Sequence, residues 1–201
     1  MKIQKTDSLK NPSSLYALPN FQQSVTNNRK FEGCAIYVHQ NLTFSQLPLM
    51  NEIPRIEHCW IKLTTTENEN IIIGCIYKSP SSSNESNKML IKLLGGVSDK
   101  HDRLLITGDF NCPAINWNDP HSNLTGFPYY LRNFVYNNEL KQIVKLNTQY
   151  RNTSSSLLDL IISRNEIRRS YNANYDIYKK ANLKFIKSIR ARRFNFRKKP
   201  M

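Results

Sequence analysis

Apolar and polar positions change rhythm several times along the chain, and each rhythm predicts a different element. From Gly33 onward GCAIYVH, IEHCWIKL and NIIIGCIY are short β-branched and aromatic runs bounded by turn-forming residues, which predicts three strands. A polar stretch over residues 64–70 separates the second from the third and predicts a hairpin. In the third run Ile71, Ile72 and Ile73 are apolar without alternation, as in a strand covered on both faces, so a helix should pack outside it. Residues 84–94 supply one: Met89, Leu90, Leu93 and Leu94 share a stripe at three-to-four spacing, with Ser83 or Asn84 as N-cap and Gly95 as the stop. DRLLITGDFN then reads as an apolar strand entering a polar tip, and the loop CPAINWNDPHSNLTG follows. A second helix is predicted over residues 128–138, carrying Tyr130, Leu131, Phe134 and Val135, and beyond KQIVKLNTQYR the run LLDLIIS predicts another strand.

Strands alternating with helices around a two-sided sheet make an α/β or α+β domain over residues 30–165. Residues 1–29, rich in Asn, Ser and Gln, read as an irregular lead-in. In residues 166–201, from Tyr175 onward, Ile177, Tyr178, Leu183 and Phe185 lie among cations and predict a loosely patterned basic helix.

Composition narrows the classes. At 201 residues, 39% hydrophobic and 22% charged, with 6 Gly and 9 Pro, the chain has material for one hydrophobic core and is neither collagenous nor low-complexity. The net charge of +14 is unevenly placed. Residues 164–201 hold 13 Lys and Arg against Glu166 and Asp176, a net of +11, which leaves only +3 for the other 163 residues. A nearly neutral body with a basic tail points to an acidic partner, DNA or RNA, or else to a merely solubilising end. Within the tail, Arg190, Arg192, Arg193, Arg197, Lys198 and Lys199 are the candidate phosphate contacts.

Cys34, Cys59, Cys75 and Cys112 stand 25, 16 and 37 positions apart, without C-x-x-C or zinc-type histidine spacing. Three lie in apolar runs, where a free thiol acts as a small hydrophobe and suits a reducing, intracellular compartment. No stretch of 18 apolar residues predicts a membrane span, and no signal-type apolar region opens the chain.

Candidate chemistry concentrates at Gly108, Asp109, Phe110 and Asn111. Strand alternation would put Asp109 and Asn111 on one exposed side and turn Phe110 into the core. A carboxylate beside a neutral amide suits phosphodiester hydrolysis: the carboxylate orients or deprotonates a water, and the amide holds that water or a phosphate oxygen. The same residue types also favour a plain turn.

The wider stretch G-D-F-N-C-P-A-I-N-W closely resembles the GDFN-x-P-x-x-x-W signature of the endonuclease/exonuclease/phosphatase superfamily as it occurs in non-LTR retrotransposons. F-E-G-C-A-I-Y-V, I-G-C-I-Y-K-S-P and S-S-S-L-L-D-L-I-I-S resemble further strands of that family, in family order, over residues 30–163. The resemblance implies a partial β-sandwich with flanking helices, DNA as substrate, Mg²⁺ as cofactor, a monomer, and a nuclear site of action. By resemblance Asp109 activates the attacking water, Asn111 positions it, Tyr77 contacts the scissile phosphate and Asp159 orients a catalytic histidine. On the residues alone, Tyr77 reads as a half-buried strand-end aromatic, Asp159 as an ordinary strand-end carboxylate and Trp117 as packing.

Two departures oppose full activity. The family's metal-ligating glutamate motif has no match, which leaves the metal ligands unknown, and nothing after Ser163 resembles its S-D-H motif. His39, His58, His101 and His121 all precede Asp159. Loss of a preorganised transition-state group costs on the order of a hundredfold to a thousandfold in rate. The tail also resembles the basic stretch between nuclease and reverse transcriptase in such elements, so the sequence reads as a shortened piece of a retroelement protein. Two functions are therefore expected to compete: an impaired DNA endonuclease domain, and a non-catalytic relic that binds nucleic acid weakly through its tail.

Overall fold

The computed structural model describes residues 2–7, 21–26, 32–48, 52–65, 68–119, 121–151 and 154–164. Among them run strands β1 (Lys2–Asp7), β2 (Phe21–Thr26), β3 (Glu32–His39), β4 (Thr43–Gln46), β5 (Ile56–Thr64) and β6 (Asn70–Lys78), then helix α1 (Asn84–Ser98) and strand β7 (Leu104–Asp109). Helix α2 (Gly126–Asn137) and strands β8 (Leu140–Gln142), β9 (Gln149–Arg151), β10 (Ser154–Ser156) and β11 (Asp159–Arg164) complete the order.

A six-stranded sheet in the order β4-β5-β6-β7-β11-β8 forms the centre. Its β5–β6 hairpin pairs Thr64 with Asn70 through to Ile56 with Lys78, as the alternating sequence predicts. Among the described strands only β6 and β7 pair in parallel, and α1 supplies the crossover between them.

Both faces of β6 are covered. Ile72 and Ile76 join Leu90, Leu94 and Val97 of α1 and Phe127, Leu131, Phe134 and Val135 of α2 in one core. Ile73, Cys75 and Tyr77 face the other way, into a second core with Cys34, Ile36 and Val38 of β3. The result is a two-sheet sandwich with both helices on the outer face of the larger sheet, a mixed α/β fold of the predicted kind. Gly74 lies opposite Trp60 in the ladder, and a Cβ there would run into the indole ring.

The structure differs from the sequence pattern in four places. β1 and β2 pair antiparallel on either side of β3, so the segment expected to be an irregular lead-in supplies two strands. Their pairing is a backbone matter that polar composition does not forbid, while β3 contributes the alternating apolar residues. Helix α1 is capped by Ser83, whose side chain accepts from the Ser86 N–H, yet it runs through Gly95 and Gly96 to Ser98. Burial of Val97 holds the extra turn, so Gly95 is not a stop. Helix α2 starts at Gly126, leaving Pro128 in the first turn, where its missing N–H costs nothing. Its buried stripe is Phe127, Leu131, Phe134 and Val135, and Tyr130 is exposed instead of buried. The predicted basic helix and its cations, Arg190, Arg192, Arg193, Arg197, Lys198 and Lys199, lie outside the described residues.

Candidate active site

Three predicted residues fall in a single row. Tyr77 pairs with Asp109 across the parallel β6–β7 ladder, and Asp109 pairs with Asp159 across the antiparallel β7–β11 ladder. Residues in register on adjacent strands share a face, and for Tyr77 that is the face toward β3. On the far side of Tyr77 the row continues to Glu57 on β5, which sequence reasoning missed. Its place was legible only from the period-two relation to Cys59 and Ile61.

Local sequence explains why β7 delivers Asp109 there. Gly108 has φ +145°, and a Cβ would strike the Ile76 carbonyl oxygen, so only glycine brings this strand end so close to β6. Phe110 is fully buried and its N–H donates to the Leu158 oxygen at 3.0 Å, which ties the end of β7 to the entry of β11. The Thr148 hydroxyl oxygen accepts from the N–H groups of Leu158 and Asp159 at 3.1 and 3.0 Å, fixing the start of β11. No sequence signal singled out Thr148.

Asn111 does not continue the alternation. The strand ends at Asp109 and Asn111 turns to φ +45°. Its N–H donates to Asp109 Oδ1 at 3.0 Å, and its Nδ2 donates to the Lys78 carbonyl oxygen at 2.7 Å. The turn-forming tendency of these residues and the placement of a polar pair beside Tyr77 thus coexist. Because Nδ2 is directed to a carbonyl, Oδ1 of Asn111 is the acceptor end of the amide.

Lys78, also missed, is buried at 5% exposure where β6 ends. Its ammonium stands 4.7 Å from the centroid of the Phe127 ring and donates to the Ser79 oxygen at 3.3 Å. Burial lowers its pKa, and the neighbouring Cys112 and Asp109 groups oppose that shift. Burial also pushes the Cys112 thiol up to about 12, so it stays neutral at ordinary pH. Trp117 is half-buried and packs against the main core.

A family model described as endonuclease-reverse transcriptase matches residues 71–181, more than half of the chain. The chain belongs to the endonuclease-reverse transcriptase family. Among solved structures, the endonuclease domain of TRAS1, a telomere-specific non-LTR retrotransposon, is similar at 15% identity and TM-score 0.59, covering 82% of this chain and 73% of that one. A 3′ phosphatase, NExo from Neisseria, solved with a product DNA hairpin, is similar at 16% identity and TM-score 0.52, covering 81% and 75%. No curated protein matches. These likenesses establish the endonuclease/exonuclease/phosphatase fold for this member of the endonuclease-reverse transcriptase family.

Members of such nuclease families generally use divalent metals, which sets a requirement on the donor atoms here. Among the described residues no group of three His, Cys, Asp or Glu side chains is placed to hold a cation. A hard ion such as Mg²⁺ is octahedral and needs oxygen ligands that converge. The described residues do not provide them.

Proposed function

We propose that the chain is a phosphodiester-cleaving domain of the retrotransposon endonuclease type, acting on DNA with reduced turnover. The observation that carries this reading is the row Tyr77, Asp109, Asp159 on three adjacent strands, with Asn111 bonded to Asp109 beside it. In the proposed reaction the Asp109 carboxylate accepts a proton from water while the amide oxygen of Asn111 orients that water. The water oxygen forms the new bond to phosphorus, and the P–O bond to the leaving strand breaks. Tyr77 contacts the phosphate and Asp159 helps order the Asp109 end of the row. The leaving oxygen needs a proton or a stabilising charge, and the sequence after Ser163 contains no histidine to supply it. The leaving oxygen therefore takes its proton from solvent, to which Asp109 returns the one it accepted, and turnover is slow.

A supercoiled-plasmid nicking assay with and without Mg²⁺ tests this reading. The chain should nick measurably, and Asp109→Asn should lose about a hundredfold or more, the scale of a general base. Equal nicking by both would overturn it.

The charge asymmetry supports a second reading, sequence-indifferent nucleic-acid binding by residues 164–201. Phosphate contacts by lysine and arginine carry no base information and weaken with salt. Removing the tail should then abolish binding to labelled duplex, and undiminished binding by the shortened chain would exclude this role.

A further inference from the structure

A tight turn precedes β5. The Ile56 N–H donates to the Ile53 carbonyl oxygen at 3.0 Å, and both isoleucines are buried in the main core. Pro54 and Arg55 are the central residues of this turn, and Arg55 has φ +61°. With proline first, the second central position at positive φ favours glycine or asparagine. An arginine there is held in a sparsely populated backbone conformation, as residues at functional sites often are. The turn also stands next to the candidate site. Arg55 extends the β5–β6 ladder one step past the Ile56–Lys78 pair, because its carbonyl oxygen accepts the Ser79 N–H at 3.0 Å. The Lys78 carbonyl oxygen, one residue away, is the one that accepts from Asn111 Nδ2. Arg55 lies two ladder positions from the Glu57–Tyr77 pair, about 7 Å along the strand.

The Arg55 side chain is exposed and donates from Nη1 to the hydroxyl oxygen of the exposed Ser81 at 3.2 Å. A hydroxyl orients the guanidinium without neutralising it, and among the described residues no carboxylate lies within ion-pair distance of Arg55. Glu57, Asp109 and Asp159 put three carboxylates in one row at this end of the sheet, so a phosphodiester strand reaching Asp109 gains from a cation beside them. A planar guanidinium fork matches two oxygens of a phosphate. We propose that Arg55, oriented by Ser81, is a phosphate-binding subsite of the candidate active site, taking a phosphate of the substrate strand adjacent to the one that is cleaved. The proposal rests on the nuclease reading and narrows its substrate to a polynucleotide, since a single phosphomonoester offers no second phosphate to the fork. The contact positions the strand and carries no base information.

The test needs no turnover. Fluorescence anisotropy of a short labelled DNA duplex against the full chain, over a series of salt concentrations, compares the native sequence with Arg55→Gln, Arg55→Lys and Lys62→Gln. Lys62 is an exposed cation toward the other end of β5 and serves as the control. Arg55→Gln should make the slope of log affinity against log salt shallower by about 0.9, the loss of one phosphate contact on duplex DNA. Arg55→Lys should keep the slope, and Lys62→Gln should leave it unchanged. An unaltered slope in Arg55→Gln, or an equal change in Lys62→Gln, overturns the proposal. A second measurement uses the native chain and needs no variant to fold: an arginine-specific dicarbonyl reagent, with the modified peptide located by mass spectrometry, should label Arg55 in the free protein and be blocked there by the duplex. Equal labelling with and without duplex is equally fatal. Protection of Arg55 in a protein that never nicks DNA refutes the nuclease reading alone, and Asp109-dependent nicking with an unaltered slope refutes the Arg55 subsite alone.

Discussion

Asp109 and Asp159 stand directly opposite one another in the β7–β11 ladder, one carboxylate across from another. Like charges in that position destabilise a sheet by roughly 0.2–1 kcal/mol. Asp159→Asn should therefore raise unfolding free energy by a few tenths to about 1 kcal/mol near neutral pH while lowering nicking activity. The gain should vanish in acid, where both carboxylates are protonated. Urea melts at two pH values check it, and a destabilised Asp159→Asn protein would contradict the repulsion.

Glycines at two places should respond in opposite directions. Gly108→Ala puts a Cβ against the Ile76 carbonyl at a φ that side chains rarely adopt, and should cost about 2–4 kcal/mol. Gly95, inside α1, has nothing within 4 Å of a built Cβ, and Gly95→Ala should stabilise by up to about 1 kcal/mol. Thermal melts of the pair should therefore bracket the native value.

All four cysteines are free and buried. The neighbouring Cys75 together with burial pushes the Cys34 and Cys59 thiols well above their ordinary range, while those two neighbours pull the Cys75 thiol well below it. Because all four are enclosed, and not because all four are protonated, a thiol reagent at pH 8 should titrate none of them in the native protein and all four in denaturant. For Cys112 the sign is defined: its folded pKa of about 12 exceeds the ordinary 9.0, so its contribution is complete below pH 9 and is lost as pH rises toward 12. Cys112→Ala should accordingly show a shallower alkaline fall in stability than the native chain.

Packing and surface charge should differ clearly in weight. Leu94→Ala empties a fully buried position between α1 and the sheet and should cost about 2–5 kcal/mol. Glu69→Gln breaks the ion pair with Arg103, whose side chains are 39% and 36% exposed, and should cost less than about 1 kcal/mol. Comparable losses from the two would mean that the helix layer is loosely packed.

Where periodicity was strong, the sequence was a good guide. The hairpin of β5 and β6 was legible because apolar alternation and a polar turn agree, and the double coverage of Ile72 and Ile73 because neither face is polar. The Tyr77–Asp109–Asp159 row was legible only through motif resemblance, since cross-strand register is a long-range property. β1 and β2 were illegible because their pairing needs backbone groups, which every sequence has. Gly95 misled because burial of the following turn outweighs glycine's helix penalty. Lys78 was overlooked because a lysine in a strand reads as a solvated edge until Phe127 is seen beside it.

The strand order β7-β11-β8 carries a consequence for how the chain acquires its site. β11 is the last described strand in sequence, yet it is seated between two strands synthesised before it. Until it inserts, β7 and β8 each expose an unsatisfied edge, and Asp109 has no cross-strand neighbour on that side. A ribosome-bound chain lacking residues 159–164 would therefore hold a formed β5–β6 hairpin but an open gap beside β7, and sequence-distant closure of that gap is the slow, aggregation-exposed step. Assembly of the row is in this sense timed by translation: it waits for the last of the described strands.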